Sequence, residues 1–168
     1  DRRAHNAKEI SYDTLQKAVD YINRHYDKEA EEITFCFYGG ETLLARKKIE
    51  WLILELQTIF KAKVRFSFST NGLLLTKEIV DWLNSLPNAV VNVTIDGNKI
   101  MHDAHRKTIS GAGSYDIIIK NLRLLRDACP DFYRDRVRFL STVYSWNEVL
   151  KLADVWDEEL ALKEHYPV

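Results

Sequence analysis

The sequence predicts an α/β fold whose strands run parallel to one another. Segments with helical spacing of apolar residues alternate with short strand-like runs in the order α, β, α, β, α, β, α, β, α. Strict alternation of this kind joins parallel strands through right-handed helical crossovers. The order alone leaves a doubly wound sheet and a βα barrel open, and both folds place functional residues on the loops after the strand C-termini.

Four segments are predicted to be strands. Glu32–Tyr38 alternates apolar and polar side chains as EITFCFY and ends at a glycine pair, and Val64–Ser69 is similar. Ala89–Ile95 is a nearly continuous β-branched run, which is typical of a buried parallel strand. Val137–Tyr144 completes the set. Between the third and fourth strands, Gly97–Gly113 has few periodic apolar residues and is predicted to be a long loop.

Five segments are predicted to be helices, because their apolar side chains recur at intervals of three and four residues. Ser11 and Ser114 each precede such a segment and are predicted to cap its N-terminus. Pro87 stops the third segment. The five segments are Ser11–Tyr26, Thr42 to about Lys61, Thr76–Leu86, Ser114 to about Ala128 and Trp146–Leu162.

Composition and charge exclude several classes of protein. The 168 residues are 46% hydrophobic and 29% charged, which suits one domain with a sizeable core. A net charge of −1 would not draw nucleic acid or an anionic membrane, and no apolar run is long enough to cross a bilayer. Cys36 and Cys129 match no zinc or redox spacing and are predicted to be buried thiols in a reducing compartment. We therefore expect a soluble, cytoplasmic protein without nucleic-acid or membrane partners.

Unusual sequences follow three of the predicted strands. They are GGE at Gly39–Glu41, STNG at Ser69–Gly72 and DG at Asp96–Gly97. A glycine pair removes two side chains and permits positive φ, so the main chain can approach a small ligand, and the glutamate behind it can hold a cation. Each sequence alone is an ordinary turn former. Because the carboxyl ends of parallel strands meet at one rim of a sheet, the three together predict a shared ligand pocket.

Longer motifs contain these turns, in the order FYGGETLL, FSFSTNGLLLT and VTIDGNKIMHDAHRKTISGAGSYDIIIKNLRLL. The ordered set resembles the radical S-adenosylmethionine (radical SAM) superfamily, and within it the peptide- and protein-modifying maturases, including anaerobic sulfatase maturases. The resemblance covers the chain from about Arg3 to Tyr144. It implies a partial TIM-like βα barrel that lacks the first strand and the C-terminal part. Residues 1–168 would then be one fragment of the core domain, with 1–10 as a linker-like start.

The resemblance implies a role for each motif. The GGE segment would hold the methionine amino group of S-adenosylmethionine, and the TNG segment would line the same cofactor. Thr94 stands where the family usually has a serine near the cofactor carboxylate, and Arg106 would grip a carboxylate of cofactor or substrate. Thr42 replaces the family's usual proline, at a position where the change should matter little. The residues implied to face the cofactor are Gly39, Gly40, Glu41, Ser69, Thr70, Asn71, Thr94, Asp96 and Arg106.

The resemblance also implies an iron–sulfur cofactor that this chain cannot complete. Family members cleave S-adenosylmethionine with an electron from a [4Fe–4S] cluster, which three cysteines hold in a C-x-x-x-C-x-x-C motif after the first strand. That motif is absent, and two distant cysteines cannot supply three converging thiolates. We therefore expect it upstream of Asp1 in a longer parent, an oxidoreductase that generates a 5′-deoxyadenosyl radical with the help of an electron donor and modifies a peptide or protein. The fragment alone is expected to be inactive.

Other candidate sites have simpler explanations. His102, Asp103 and His105 lack a further metal ligand at a recognisable spacing, so we expect a structural or substrate-facing loop and no metal site. The glycines of Gly111–Ser114 are explained by a loop with a serine cap as well as by a phosphate cradle. Cys36 lies inside a predicted strand and is expected to pack in the core.

Two alternatives concern partners and function. A barrel that lacks its first strand exposes a sheet edge, so we expect the fragment to form an edge-to-edge dimer or to cover that edge. The alternative function is a non-catalytic α/β module with a degenerate radical SAM fold, which binds a nucleotide or peptide at the same rim.

Overall fold

Four parallel strands form one sheet in the computed structural model, which describes residues 9–60, 63–145 and 152. They lie in sequence order, β1-β2-β3-β4, so that β1 and β4 form the two edges. The second and third strands pair with Phe66 beside Ala89, and the third and fourth pair with Val91 beside Val137. The predicted α/β class with parallel strands is confirmed. The strands are β1 Glu32–Phe37, β2 Lys63–Thr70, β3 Ala89–Thr94 and β4 Val137–Leu140.

Helices connect the strands in the described part of the chain. Ser11 caps the first of them by accepting a hydrogen bond from the Thr14 amide, as predicted. A 3₁₀ turn at Thr42–Ala45 leads into the second helix. The helices are α1 Tyr12–His25, α2 Arg46–Ile59, α3 Lys77–Ser85, α4 Lys99–His105, α5 Tyr115–Ala128 and α6 Pro130–Arg136.

The chain divides into two compact units. The first unit contains the described residues up to Phe35 together with Leu44–Arg65. The second unit contains Cys36–Leu43 and the described residues from Phe66 onward. In the first unit α1 packs on α2, and its core consists of apolar side chains that both helices bury. These are Leu15, Val19, Ile49, Ile53 and Leu56.

In the second unit the two faces of the sheet differ in chemistry. Phe68 and Val93 are fully buried on one face, where the Trp82 ring of α3 contacts the Phe68 ring at 5.5 Å between centroids. Strand side chains alternate between faces, so Ser67 and Asn92 lie on the other face, where they are half-buried and joined by a 2.8 Å hydrogen bond. The apolar face holds the core, and the other face carries half-buried polar side chains.

Three expectations about elements were wrong. The segment Gly97–Gly113 contains helix α4, which Asn98 caps by accepting a hydrogen bond from the Met101 amide at 3.1 Å. The unexpected α6 begins at Pro130, whose fixed φ suits a first helical turn. The fourth strand ends at Leu140, short of the predicted Tyr144. The predicted helix at Trp146–Leu162 lies outside the described residues except for Leu152.

Both cysteines are less buried than expected. Cys36 is exposed, because β1 is an edge strand and its alternation turns this side chain away from the core. Cys129 is half-buried at the junction of α5 and α6.

None of the helices in the described part of the chain combines the length and apolar character needed to span a membrane.

Candidate functional site

The Glu41 carboxylate ties the turn after β1 to the turn after β2. Its Oε1 accepts hydrogen bonds from the Thr70 hydroxyl at 2.8 Å and from the Leu43 amide at 3.1 Å. Its Oε2 accepts one from the Asn71 amide at 2.9 Å. A carboxylate has about four acceptor positions, so one position on Oε2 is left unused by the described part of the chain. The prediction that the first two turns lie together is therefore confirmed by direct contact.

The turn after β2 is held by its own side chains. The Thr70 hydroxyl accepts a hydrogen bond from the Gly72 amide at 3.1 Å, and Asn71 Oδ1 accepts one from the Leu73 amide at 2.9 Å. Gly72 has φ 81°, and a Cβ there would lie 2.9 Å from a methyl group of Ile118. This position therefore requires glycine for conformation and for space.

The glycine pair after β1 matches only one part of its predicted role. Neither Gly39 nor Gly40 has a positive φ, so the expected conformational reason is wrong. Both residues are exposed, and a Cβ built on either one would meet no atom of the described residues within 4 Å. The pair therefore leaves open space beside Glu41.

The turn after β3 is built around a buried carboxylate. Asp96 is 2% exposed, its Oδ1 accepts a hydrogen bond from the Thr142 amide at 2.8 Å, and its Oδ2 forms an ion pair with Arg106 Nε. The Arg106 side chain is 34% exposed, and its Nη2 reaches the Thr142 hydroxyl at 3.4 Å. Gly97 has φ 82°, as a tight turn at this point requires. Asp96 is thus occupied with holding Arg106 and the segment after β4.

His102 lies against the same turn and is completely buried. Its Nδ1 accepts a hydrogen bond from the Asp96 amide at 3.1 Å, and its Nε2 lies 2.9 Å from the Ser114 hydroxyl. Burial lowers the pKa of this imidazole below its ordinary value of 6.5. The structural role favoured for His102 is therefore seen in these contacts, although its partners are not apparent from the sequence.

Ser114 differs from its predicted role. It occupies the N-cap position of α5, but its side chain makes no capping hydrogen bond. The Asp103 carboxylate accepts a hydrogen bond from the Tyr115 amide at 2.9 Å instead. Because the Ser114 hydroxyl contacts His102 and the Arg106 carbonyl, it is not available to cap the helix.

Several polar groups at the rim stay open. Ser69 and Thr94 are half-buried on the polar face of the sheet, and within the described residues neither hydroxyl takes part in a hydrogen bond. The Asn71 side-chain amide nitrogen likewise has no hydrogen-bond partner in the described part of the chain. Together with the open position on Glu41 and the partly exposed Arg106, the rim offers acceptors and donors of both charge types.

A parallel sheet with helical crossovers and polar side chains at its strand C-termini is typical both of βα barrels and of doubly wound sheets. The profile of the Radical SAM superfamily matches residues 2–156. The chain therefore belongs to the radical SAM superfamily, which confirms the family that its motifs resemble.

The chain is similar to characterised members of this superfamily. It is 31% identical over 120 residues to the serine-type anaerobic sulfatase-maturating enzyme of Bacteroides thetaiotaomicron, covering 70% of this chain and 28% of that enzyme. It is 29% identical over 118 residues to the radical SAM cyclopropyl synthase TigE of Paramaledivibacter caminithermalis, covering 68% and 24%. The chain thus spans about a quarter of the length of these curated relatives.

Solved structures confirm the fold. Native anSMEcpe with bound AdoMet and Kp18Cys peptide superposes with a TM-score of 0.75 at 21% identity, over 90% of this chain and 41% of that chain. Native anSMEcpe with bound AdoMet gives the same values. At this identity the likeness establishes the fold alone, and that fold is the partial TIM-like barrel expected from the motifs.

Proposed function

We propose that this chain is the cofactor-binding part of a radical SAM maturase, which removes a hydrogen atom from a peptide or protein substrate. The proposal rests on family membership, on the maturases among the relatives and on the rim of the second unit. The contact that carries it is the Glu41 carboxylate joining the GGE and TNG segments, because it brings two family motifs to one place and keeps one acceptor position open.

The rim residues fit S-adenosylmethionine. Its methionine ammonium would lie at the open position of Glu41 beside the unobstructed Gly39 and Gly40, and its carboxylate would reach Thr94 and Arg106. We assign the buried members of the predicted set a supporting role, since their polar atoms already hold other rim residues. The residues proposed to contact the cofactor are Gly39, Gly40, Glu41, Ser69, Asn71, Thr94 and Arg106, and those proposed to support them are Thr70 and Asp96.

The residues of this chain do not fit a [4Fe–4S] cluster. The sequence has two cysteines, of which Cys36 is exposed on β1 and Cys129 is half-buried between α5 and α6. Cysteine thiolates must converge to hold a cluster, and in the described residues no three potential metal ligands come together. We therefore propose that the parent protein supplies the cluster ligands and the contact with an electron donor from outside this chain, and that the chain alone is inactive. Both unpaired thiols are consistent with a cytoplasmic location.

The chain's own contribution to the reaction is binding and orientation. S-Adenosylmethionine, when bound and reduced, supplies the hydrogen-abstracting chemistry. Glu41 and Arg106 would fix the two charged ends of its methionine, and the hydroxyls of Ser69 and Thr94 would fill the polar positions between them. Because Glu41 and Arg106 would hold the two opposite charges of the cofactor, they would restrict it to one orientation. Fixing a reactant in one orientation lowers the entropic part of the barrier to reaction.

The test uses the parent protein, reconstituted with iron and sulfide under anaerobic conditions. We expect an iron–sulfur absorbance band and reductive cleavage of S-adenosylmethionine. We expect three cysteines in C-x-x-x-C-x-x-C spacing when the reading frame is extended upstream. A parent protein with neither the cysteines nor the absorbance band would overturn the proposal and favour the non-catalytic binding module.

We also propose that the chain expressed alone pairs through its edge strand β1. Parallel sheets are ordinarily covered, and the outer edge of β1, which pairs with no further strand among the described residues, can accept a strand of a second copy. Light scattering of the isolated chain should give the mass of a dimer. A monodisperse monomer would contradict the edge pairing without affecting the proposed reaction.

A further inference from the structure

Four buried or half-buried residues in the second unit form a closed ring of hydrogen bonds. The Asp96 amide donates to His102 Nδ1, and His102 Nε2 lies 2.9 Å from the Ser114 hydroxyl. The Ser114 hydroxyl donates to the Arg106 carbonyl at 3.2 Å. The Arg106 side chain closes the ring through its ion pair with the Asp96 carboxylate. We name these four residues the His102 ring.

The ring fixes the tautomer of His102. A backbone amide can only donate, so the Nδ1 that faces the Asp96 amide carries no proton. The proton of the neutral imidazole therefore lies on Nε2 and is donated to Ser114. Ser114 in turn has its own proton available for the Arg106 carbonyl, which is an acceptor only. Each proton in the ring has one possible place, and a second proton on His102 would break the bond to Asp96.

Only one member of the ring reaches the rim. Asp96, His102 and Ser114 are 2%, 0% and 4% exposed, whereas the Arg106 side chain is 34% exposed. A guanidinium has five N–H donors, of which Arg106 uses Nε for Asp96 and one on Nη2 for Thr142. The remaining donors have no partner in the ranges that the structure describes, so they can bind a planar anion. The ring therefore holds Arg106 at its backbone carbonyl and at its Nε, and it leaves the N–H groups of Nη1 and Nη2 uninvolved.

We propose that His102 and Ser114 are positioning residues that hold Arg106 for a carboxylate at the rim. This inference rests on the proposed function, since the carboxylate is that of S-adenosylmethionine or of the peptide substrate. A carboxylate gripped by two parallel N–H bonds requires the guanidinium plane to be fixed, because a small rotation lengthens one of the two bonds. The His102 ring supplies that restraint, because it holds Arg106 at its backbone carbonyl and at its Nε.

The surroundings of His102 make the restraint sensitive to acid. The charged and titratable groups that face it are Asp96 from the turn after β3, Asp103 and Arg106 from α4 and its end, and the Tyr115 ring of α5 at 5.7 Å between centroids. Asp96 and Asp103 favour the protonated imidazole, but burial opposes it more strongly. At a pH low enough to protonate the buried imidazole, the new proton on Nδ1 faces the N–H of Asp96, and the hydrogen bond between them is lost.

The test measures dissociation constants of S-adenosylmethionine and the KM of the peptide substrate in the reconstituted parent protein. Ser114→Ala should raise one of these two constants by about tenfold, which corresponds to the loss of one good contact. Ser114→Thr should restore the wild-type value because the hydroxyl returns. Weaker cofactor binding identifies the cofactor carboxylate as the ligand, and a raised KM identifies that of the substrate. Wild-type affinity for that ligand should also fall as the pH drops through the lowered pKa of the buried His102, whereas His102→Asn, which keeps an acceptor for the Asp96 amide, should remove this dependence.

The outcomes separate this inference from the proposed function. Wild-type protein that binds no S-adenosylmethionine would overturn the proposed function and this inference with it. Wild-type protein that binds the cofactor, together with a Ser114→Ala variant that keeps both constants but unfolds at a lower temperature, would overturn this inference alone and make the ring a purely structural feature. If His102→Asn does not fold, the comparison of Ser114→Ala with Ser114→Thr decides.

Discussion

Two polar clusters of the second unit lie at strand ends, one after β1 and β2 and the other after β3, and they are built differently. Around Glu41, one carboxylate gathers the Thr70 hydroxyl and the Leu43 and Asn71 amides and keeps one acceptor position open. In the His102 ring the four residues bond to one another, Thr142 is a further partner of Asp96 and Arg106, and three of the four residues are nearly inaccessible. The first cluster can bind a ligand directly. The second can act only through Arg106, its one partly exposed member.

The difference shows how one rim can combine recognition with rigidity. A half-buried carboxylate with an unused acceptor position loses little when water or a ligand occupies that position. A fully buried polar group has no such freedom, since each unmade hydrogen bond in the interior is costly. Changes to the ring should therefore cost more stability than equivalent changes at Glu41, and the predictions below test this order.

The largest loss of stability is expected for Arg106→Ala. The substitution leaves the Asp96 carboxylate buried without its cation, and breaking such a pair costs about 3–5 kcal/mol. The exposed Arg134, which pairs with Asp131 and Asp135, is the matched control, and its replacement by alanine should leave the midpoint unchanged. Urea titration followed by circular dichroism measures both variants. Equal midpoints for the two would mean that the ion pair with Asp96 contributes nothing.

A smaller loss is expected for Glu41→Gln. The amide nitrogen replaces one acceptor, so at least one of the three donors around Glu41 loses its partner, at a cost of about 1–3 kcal/mol. Glu29→Gln makes the same chemical change at an exposed position and should shift stability by less than about 0.5 kcal/mol. The same urea titration checks the pair. A Glu41→Gln variant as stable as the wild type would show that the two turns are held together by other contacts.

The glycines of the rim should separate stability from binding. Gly72→Ala forces a side chain into the left-handed region at φ 81° and against Ile118, which costs about 1–2 kcal/mol for the conformation alone. At Gly39 φ is not positive, and a Cβ would meet no atom of the described residues within 4 Å. Gly39→Ala should therefore not lower the free energy of unfolding. Its affinity for S-adenosylmethionine in the parent protein should fall instead. Unchanged affinity in Gly39→Ala would remove the glycine pair from the proposed cofactor site.

The smallest effect is the response of the ring to acid. His102 has a pKa below 6.5 in the folded protein and near 6.5 in the unfolded chain, so the unfolded chain binds the proton first as the pH falls. Stability from the neutral ring is complete above pH 6.5 and is lost as the pH falls from 6.5 toward the lowered pKa. Urea midpoints at pH 7.5 and 5.5 should therefore differ more in the wild type than in His102→Asn. His25→Asn, at an exposed position, should retain the wild-type difference.

The sequence was sufficient to predict the contact between the first two turns. The strands β1 and β2 have clear alternation, and a parallel sheet brings their carboxyl ends to one rim. The sheet therefore brings a glutamate directly after one strand close to a threonine and an asparagine after the next. The acceptor position that stays open on Glu41 follows from the coordinates alone.

The His102 ring could not be predicted, because its four residues come together only through the orientation of helix α4. That helix exposes Ile100 to 83% and buries a histidine, so its apolar pattern contradicts its actual orientation. Asn98, a good N-cap residue after the DG turn, was the one local signal for the helix. The exposure of Cys36 could have been predicted, since the alternation of β1 places it on the face opposite Ile33, Phe35 and Phe37.

The most direct test of the rim is the affinity of S-adenosylmethionine for the parent protein with Thr94→Val, which removes a hydroxyl and keeps the shape of the side chain. Thr34→Val, near the start of β1, is the matched control on an exposed strand position. A cofactor carboxylate that accepts a hydrogen bond from Thr94 predicts an affinity loss of about tenfold or more for Thr94→Val, with no loss for the control and unchanged stability for both. Equal affinities for the wild type and Thr94→Val would contradict the placement of the cofactor at this rim.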